Sequence, residues 1–344
     1  MGFPARNAWA SGVYPRSPVI DTIPPGAEAA SPIHDRRTMT LPDVSVIIVS
    51  WNTRDLLRDC LESLRGIAGV PIEVFVVDND SQDGSATMVA SEFPGVRLIQ
   101  NQENRGFARA VNQGLRFAHG RYRMLLNSDT RAPEGALGRL AAYLDAHPRA
   151  GACGPQLRHF DGTLQPTGRA FPTLLASMIA ITPVPGWVRR ATADRFERRD
   201  YAVTCEVDEL CGAALMLRTE ALTQIGLLDE DFFFFGEDVD LCWRLHDAGW
   251  SIGYVPEAVI EHGWGGSWRK TRERTSLMIQ RAYVLLMRKH RPGFAAVAVT
   301  GLSFVLTLLK AVRRAIPAWI RGGSRAAMDS LRTHRDELYW LFAR

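Results

Sequence analysis

Asp78 stands where the apolar run Val74-Phe75-Val76-Val77 gives way to Asp78-Asn79-Asp80-Ser81. A carboxylate emerging from a buried strand can accept hydrogen bonds from a ligand's imide N–H or from ribose hydroxyls. Asp80, Ser81 and Asp83 equally suit an ordinary turn, so Asp78 is the first candidate for ligand contact, with Asn79 and Asp80 beside it. The string Leu125-Leu126-Asn127-Ser128-Asp129 repeats the arrangement with a single acid. A hard divalent ion could bridge that carboxylate to a diphosphate, as Mg2+ and Mn2+ do. One carboxylate alone is a poor metal site. His262, in the glycine-flanked string Glu261-His262-Gly263-Trp264-Gly265-Gly266, is the candidate second ligand, although a loop histidine is often just solvated or packed.

Phe232-Phe233-Phe234-Phe235-Gly236-Glu237-Asp238-Val239-Asp240 is the most unusual string in the chain. Four consecutive phenylalanines are costly to expose, so they are expected to line or abut an interior. In the helix that follows, Asp238, Leu241, Cys242 and Leu245 share one face by their i, i+3, i+4, i+7 spacing. Asp238 is therefore expected to point where apolar residues point, with a raised pKa suited to a general base for a hydroxyl. Acids in a first helical turn also answer the helix dipole. The stretch from Asn104 to Asn112 opens another helix, with Asn104 as the expected N-cap. Gly106 there permits close backbone approach, and the helix N-terminus suits an anion.

The elements that position these residues show in the hydrophobic pattern. Short β-branched runs at 44–51, 72–78, 96–101 and 122–127 alternate with amphipathic stretches at 54–65, 84–93, 105–119 and 133–147. Strands apolar throughout, such as Val46-Ile47-Ile48-Val49, imply burial on both faces and a mainly parallel sheet flanked by helices, an open α/β fold. Ligands of such sheets bind beyond the carboxyl ends of the strands, and there the four runs end in Ser50-Trp51-Asn52, Asp78-Asn79-Asp80-Ser81, Asn101-Gln102-Glu103-Asn104 and Asn127-Ser128-Asp129. No Gly-x-Gly-x-x-Gly opens a helix after the first run and no Gly-x4-Gly-Lys-Ser/Thr occurs, so neither a dinucleotide site nor a P-loop is supported. Residues 158–206, rich in Pro, Gly and Arg, read as loops; a strand is expected at 251–255 and a helix at 236–249.

The composition, 46% hydrophobic and 23% charged over 344 residues, excludes a disordered or disulfide-stapled chain. Residues 1–42 read as a proline-rich flexible leader, 43–268 as the α/β domain and 269–344 as a basic and apolar helical tail. From Ser267 onward there are 16 basic and 4 acidic residues, so the basic excess is confined to the tail and a nucleic-acid binder is not expected. Five scattered cysteines without a Cys-x-x-Cys pair, and no apolar h-region after Met1, give a cytoplasmic expectation.

Taken together, Ser45 to Asn52, Val77 to Ser85, Asn104 to Asn112, Asn127-Ser128-Asp129-Thr130, Cys211-Gly212-Ala213-Ala214, Gly236 to Leu241 and His262 are similar to the motifs of family 2 inverting nucleotide-diphospho-sugar glycosyltransferases. The resemblance extends over residues 44–268, is nearest to rhamnosyltransferase-like bacterial members, and implies the GT-A fold. It further implies that Asp78 holds the nucleoside with Ser50 and Asn52 nearby. The other donor-binding positions it implies are Asn79, Asp80, Asn104, Gly106, Asn112, Asn127 and Ser128. Asp129 would occupy the last place of the metal motif and His262 would complete the Mg2+ or Mn2+ site, while Asp238 would be the base with Glu237 beside it. Asn127 and Ser128 depart from the usual first and middle residues of that motif, which lowers the expected metal affinity.

The tail has a basic helix at 271–290, an uncharged stretch at 292–309 and a cluster of Lys310, Arg313 and Arg314. These fit peripheral contact with the inner face of the plasma membrane and a polyprenyl-diphosphate-linked or other glycan acceptor. Packing on the catalytic domain or on a homodimer partner is the alternative, and the uncharged stretch sits at the lower length limit for a spanning helix. Two other functions stay open. A sugar nucleotidyltransferase would need a glycine-rich, lysine-containing loop that Ser50-Trp51-Asn52-Thr53 lacks. A catalytically impaired nucleotide-sugar or glycan binder would tolerate the imperfect metal motif.

Overall fold

The computed structural model describes residues 42–188, 200–263 and 272–342, so the expected leader and the boundary at 268–269 lie outside the described residues. The valine- and isoleucine-rich runs become β1 (Val44–Ser50), β2 (Ile72–Asn79), β3 (Arg97–Asn101) and β4 (Tyr122–Asn127). Helices α1 (Arg54–Leu64), α2 (Ser85–Glu92) and α3 (Phe107–Phe117) alternate with them. Then follow β5 (Thr130–Arg131), α4 (Ala136–Ala146), β6 (Ala150–Arg158), β7 (Leu164–Gln165), α5 (Leu174–Ile181), β8 (Cys205–Glu206), β9 (Ala214–Arg218), α6 (Thr219–Ile225), α7 (Glu237–Asp247) and β10 (Ser251–His262). One sheet takes all ten strands in the order β3-β2-β1-β4-β9-β6-β10-β5, with β7 on β6 and β8 on β10. β1 is parallel to β2 and β4, whereas β9 runs antiparallel to both β4 and β6.

Alternation along each strand explains the two layers of helices. Val44, Val46 and Ile48 join one apolar cluster with Leu57, Met88 and Leu140. Ile47, Phe75 and Leu125 join a second with Val111, Leu241 and Leu245. Both faces of the central strands are thus covered, as the uniformly apolar runs required. Burial pushes the thiols of Cys60 and Cys211 up to about 12, and all five cysteines are free.

Two elements depart from the sequence reading. Residues 158–206 were expected as loops but contain β7, α5 and β8. The α5 sequence Leu-Leu-Ala-Ser-Met-Ile-Ala-Ile is apolar almost all round, so it carries no 3.6-residue rhythm to read. β6 is buried over eight residues between β9 and β10, yet its sequence Ala-Gly-Ala-Cys-Gly-Pro-Gln-Leu-Arg has no β-branched residue. Its small side chains answer close approach: a Cβ on Gly151 would sit 2.8 Å from Trp250 Cβ and 2.9 Å from Leu245 Cδ2.

Residues 174–184 and 276–342 form a contact unit of their own, separate from the unit that holds the sheet. It contains most of α8 (Arg272–His290) and all of α9 (Phe294–Phe342), a helical run of 49 residues. The run cannot be straight. Phe304 and Phe342 lie 6.2 Å apart ring to ring, and Lys310 reaches Glu337 at 3.7 Å, whereas a straight helix would separate the first pair by about 57 Å. Both pairs are centred near residue 323, so α9 folds back on itself as an antiparallel hairpin between Lys310 and Glu337. The expected uncharged helix is therefore the first arm of a longer hairpin.

Gly114 sets how closely α3 lies on β1, since a Cβ there would stand 2.7 Å from Ile47 Cγ2 in the core. Alanine would gain about 1 kcal/mol of helix propensity but overpack by about 1–3 kcal/mol. Gly114→Ala is therefore expected to lower the urea midpoint with an unchanged slope; an unchanged or raised midpoint would show that Ile47 yields freely.

Candidate active site

Strand register brings the polar tips together. Ser50 lies beside Asp78 across β1 and β2, Val49 beside Asn127 across β1 and β4, and Asn79 beside Asn101 across β2 and β3. Asp78 is fully buried. Its Oδ1 accepts the Ser81 N–H at 3.0 Å, and its Oδ2 is buried without a hydrogen-bond partner. Asn52 and Asp80 adopt φ of 55° and 69°, the left-handed region that short polar side chains tolerate. Asn52 stitches the two tips, donating its N–H to Ser81 Oγ and accepting from Gln82 N–H through Oδ1. A chain of hydroxyls continues sideways: Ser50 Oγ to Thr53 Oγ1 at 3.0 Å, then Thr53 Oγ1 to Ser128 Oγ at 2.9 Å.

The amide side chains serve the protein itself. Asn79 donates to Asn104 Oδ1 and the Gly106 carbonyl, and accepts from Asn101 and the Arg105 N–H. Asn101 and Gln113 exchange two further hydrogen bonds. Asn104 was expected as the N-cap of α3, but the helix begins at Phe107 with Gly106 at the cap position. Asn104 Oδ1 instead accepts the Gly106 N–H two residues on, closing the turn before the helix. Asn112 is buried, with its amide bonded to both the carbonyl and the N–H of Leu228 and to Glu230. It ties α3 to the loop that precedes the phenylalanines.

At the tip of β4, Asp129 Oδ1 and His262 Nε2 approach to 3.3 Å, both residues buried. Asn127 Nδ2 stands 3.4 Å from the same ring nitrogen. The His262 Nδ1 faces Gln165 Oε1 at 2.8 Å. The ring is thus held between Gln165 at Nδ1 and Asp129 at Nε2. A carboxylate oxygen and an imidazole nitrogen held this close suit a shared divalent cation. No cluster of three or more His, Cys, Asp or Glu stands ready for a metal among the described residues. A cation on Asp129 and His262 would take its other ligands from phosphate oxygens and water, a mode Mg2+ commonly uses. Gln165, on the two-residue strand β7, carried no sequence signal; its contact with His262 arises from pairing of β7 with β6.

The start of α7 inverts the expectation for its two acids. Asp238 is half-buried rather than turned into the apolar face. Its Oδ2 accepts the Gly212 N–H at 2.8 Å and its Oδ1 the Val239 N–H at 2.9 Å. Glu237 is the buried one, and its Oε2 has no hydrogen-bond partner. Burial pushes the Glu237 carboxyl well above the usual carboxylate range, and the neighbouring Asp238 charge adds to the push. The reason is the turn that precedes the helix: Phe235 and Gly236 take φ of 70° and 89° in succession, rotating the first helical residue inward. Phe235 there bears strain unusual for a bulky side chain. Phe232 is buried, and Phe234 packs edge-on against Phe107 at 6.0 Å. Asp240, also fully buried, pairs with Arg244 at 2.8 Å.

These contacts join into a circuit around one rim. Ser50 links through Thr53 to Ser128, next to Asp129. Asn127 N–H donates to the Ala213 carbonyl, and the adjacent Gly212 N–H to Asp238. The Phe loop that leads into α7 returns to α3 through Phe107 N–H to Phe233 O at 2.7 Å, and Asn79 binds the Gly106 carbonyl beside it. Asp78, Asp129 and Asp238 therefore belong to one connected rim.

A parallel α/β half, an antiparallel strand inserted beyond β4, and acids gathered at the carboxyl rim define the GT-A type of glycosyltransferase. The chain belongs to glycosyl transferase family 2, whose family model matches residues 45–226. It is 30% identical over 259 residues to the N-acetylglucosaminyl-diphospho-decaprenol L-rhamnosyltransferase of Mycobacterium tuberculosis, covering 71% of this chain and 84% of the relative. It is 24% identical to the poly-beta-1,6-N-acetyl-D-glucosamine synthase of Staphylococcus aureus over 67% of this chain and 53% of that one. Among solved structures, the mannosyltransferase PcManGT of Pyrobaculum calidifontis, in complex with GDP-Man and Mn2+, superposes with a TM-score of 0.51 at 18% identity, covering 88% of each chain. GalNAc-T7 with UDP, GalNAc and Mn2+ gives a TM-score of 0.51 at 16% identity over 73% of this chain and 48% of that chain. At these identities the structural likeness is one of fold.

Burial of Glu237 has a sign that can be measured. Above the ordinary carboxyl value of 4.5 the native state holds a proton that the unfolded state has lost. Its stabilising contribution is thus complete below that value and fades as pH rises toward the raised folded value. Relative to wild type, Glu237→Gln is expected to gain urea stability steadily as pH rises above the ordinary carboxyl value of 4.5. Parallel stability curves would show Glu237 ionised in the native protein.

Proposed function

We propose that this chain transfers a sugar, rhamnose by its likeness to the mycobacterial relative, from a nucleoside diphosphate to a hydroxyl of a lipid-linked or polysaccharide acceptor, inverting the anomeric configuration. The observation that carries the proposal is the connected rim, with the unpartnered Asp78 Oδ2 at its nucleoside end and Asp238 beside buried Glu237 at its acceptor end. A buried carboxylate oxygen without a partner costs free energy that a ligand donor would recover.

Asp78 offers one open oxygen, since Ser81 occupies the other. A single acceptor matches the one N–H of a uracil or thymine imide. Guanine presents an adjacent ring N–H and an amino group, a pair better served by both oxygens of a carboxylate. Ser50, Asn52, Asn79, Asp80, Asn104, Gly106, Asn112, Asn127 and Ser128 then act as the frame of the donor cleft. Several of them act through neighbours rather than by touching the donor. Asp129 and His262 would hold Mg2+ or Mn2+, which when bound offsets the negative charge gathering on the departing diphosphate.

Asp238 is the base. Its two backbone hydrogen bonds fix the plane of the carboxylate and leave a further lone pair on each oxygen for an acceptor hydroxyl. As the acceptor oxygen bonds to the anomeric carbon, its proton passes to Asp238 and the bond from that carbon to the phosphate oxygen breaks. Burial beside Asp238 pushes the Glu237 carboxyl well above the usual carboxylate range, which disfavours a second charge next to the base. The acceptor is taken at the cytoplasmic face of the membrane. Asn127 in place of an acid favours one other reading, a nucleotide-sugar binder without turnover.

Asp238→Asn is expected to cut nucleoside diphosphate release by about 10²–10⁴-fold while dTDP or UDP binding by calorimetry stays intact. Equal release rates would remove Asp238 as base, and no release by wild type with any sugar nucleotide would favour the binder. Gln165→Leu should weaken Mn2+ binding by about 10-fold or more, read from the free-ion spin resonance signal. An unchanged Mn2+ titration in a folded variant would separate His262 from the metal.

A further inference from the structure

The hairpin α9 wears its hydrophobic face outward. Val297, Phe304, Leu308, Val312 and Trp319 recur at spacings of 7, 4, 4 and 7 along the first arm and are 70%, 46%, 46%, 46% and 61% exposed, so they share one side of the helix. Two of its uncharged polar residues face in. Ser303 and Thr307 are 0% and 1% exposed, and Thr307 Oγ1 reaches Gln280 Oε1 of α8 at 3.4 Å. This inverts the pattern of a surface helix in water, where the apolar stripe faces the core. From Phe294 to Ile320 the stripe is about 40 Å long.

Phe294–Pro317 is long and apolar enough to cross a membrane by length and composition. Its neighbours are not. By the register of Phe304 with Phe342 and Lys310 with Glu337, the exposed Arg335 and Arg332 lie level with about residues 312 and 315. Crossing a bilayer would carry them, Lys310, Glu337 and Gln280 into hydrocarbon, where charged groups are costly. A helix lying in the plane of the surface needs only its outer stripe immersed.

The chemistry beside the stripe names its occupant. Exposed Arg288, Lys289 and Arg291 directly precede Phe294. Gly301 opens a groove of about 490 Å³ between Val297, Phe304 and Phe342, with Arg288 at its margin. The Arg288 guanidinium lies 5.9 Å over the Phe342 ring, without a carboxylate partner among the described residues. Apolar surface bordered by cations matches an acyl chain and an anionic headgroup. A second copy of so basic a segment would meet like charge.

We infer that the outward stripe of α9 lies within one leaflet of an anionic bilayer without crossing it. This gives the membrane contact of the proposed function its surface and its topology. Its test does not depend on sugar transfer.

The full chain is expected to float with phosphatidylcholine vesicles that contain phosphatidylglycerol, more weakly as salt rises. Phe304→Glu with Leu308→Glu, both at exposed positions, should lower that binding by about 10-fold or more with dTDP or UDP affinity unchanged. In bound vesicles, Arg291→Cys and Ser324→Cys should both react with an impermeant thiol reagent added outside. Protection of one of the two would show a crossing helix. Full vesicle binding by the double variant would remove the stripe from the contact, and a change from dimer to monomer in its place would assign the stripe to a second copy. Loss of sugar transfer with intact flotation would overturn the glycosyltransferase reading and leave this one standing.

Discussion

A carboxylate oxygen sealed from water without a hydrogen-bond partner is among the more costly features a folded chain can carry. This protein has two at one rim, Asp78 Oδ2 and Glu237 Oε2. Everything around them reads as a means of bearing that cost. Asp78 is held by register and by Ser81, and Glu237 by a turn strained at Phe235. Their surroundings differ. Burial, with the Asp238 charge beside it, pushes the Glu237 carboxyl well above the usual carboxylate range, while Asp78 lies beside Ser50 across the strand register and accepts the Ser81 N–H.

The polar residues of the rim are mostly spent on one another. Asn79, Asn101, Asn104 and Gln113 form a closed amide network, and Ser50, Thr53 and Ser128 a run of hydroxyls. Such networks specify one arrangement when each member is satisfied. In the proposed reading they also divide the labour in the cleft: a few acids meet the donor and acceptor, and the asparagines set where those acids stand. Gly106 shows the same economy of space, since a Cβ there would meet the Phe233 carbonyl at 2.7 Å.

The unit of residues 174–184 and 276–342 follows another rule. In the sheet unit apolar residues turn inward, and in the first arm of α9 a stripe of large apolar residues is exposed while Ser303 and Thr307 are buried. The chain thus carries two kinds of surface, the division that the proposed transfer from a nucleotide to a lipid-linked acceptor calls for.

Local pattern alone determined β1 to β4, the helices between them and the strand ends where Asp78 and Asp129 emerge, because periodicity and burial on both faces are written in consecutive residues. The motif order likewise sufficed for the family. Only tertiary structure decided which acid of the Glu237-Asp238 pair is buried, since that depends on the Gly212 amide 26 residues away and on two successive left-handed residues. The same holds for Gln165 on His262, 97 residues apart, and for β6, whose glycines and alanines have no strand propensity of their own. The hairpin of α9 was illegible for a related reason. A helix-forming sequence records its length, but where it folds back, and which face is left outside, is settled by partners far along the chain.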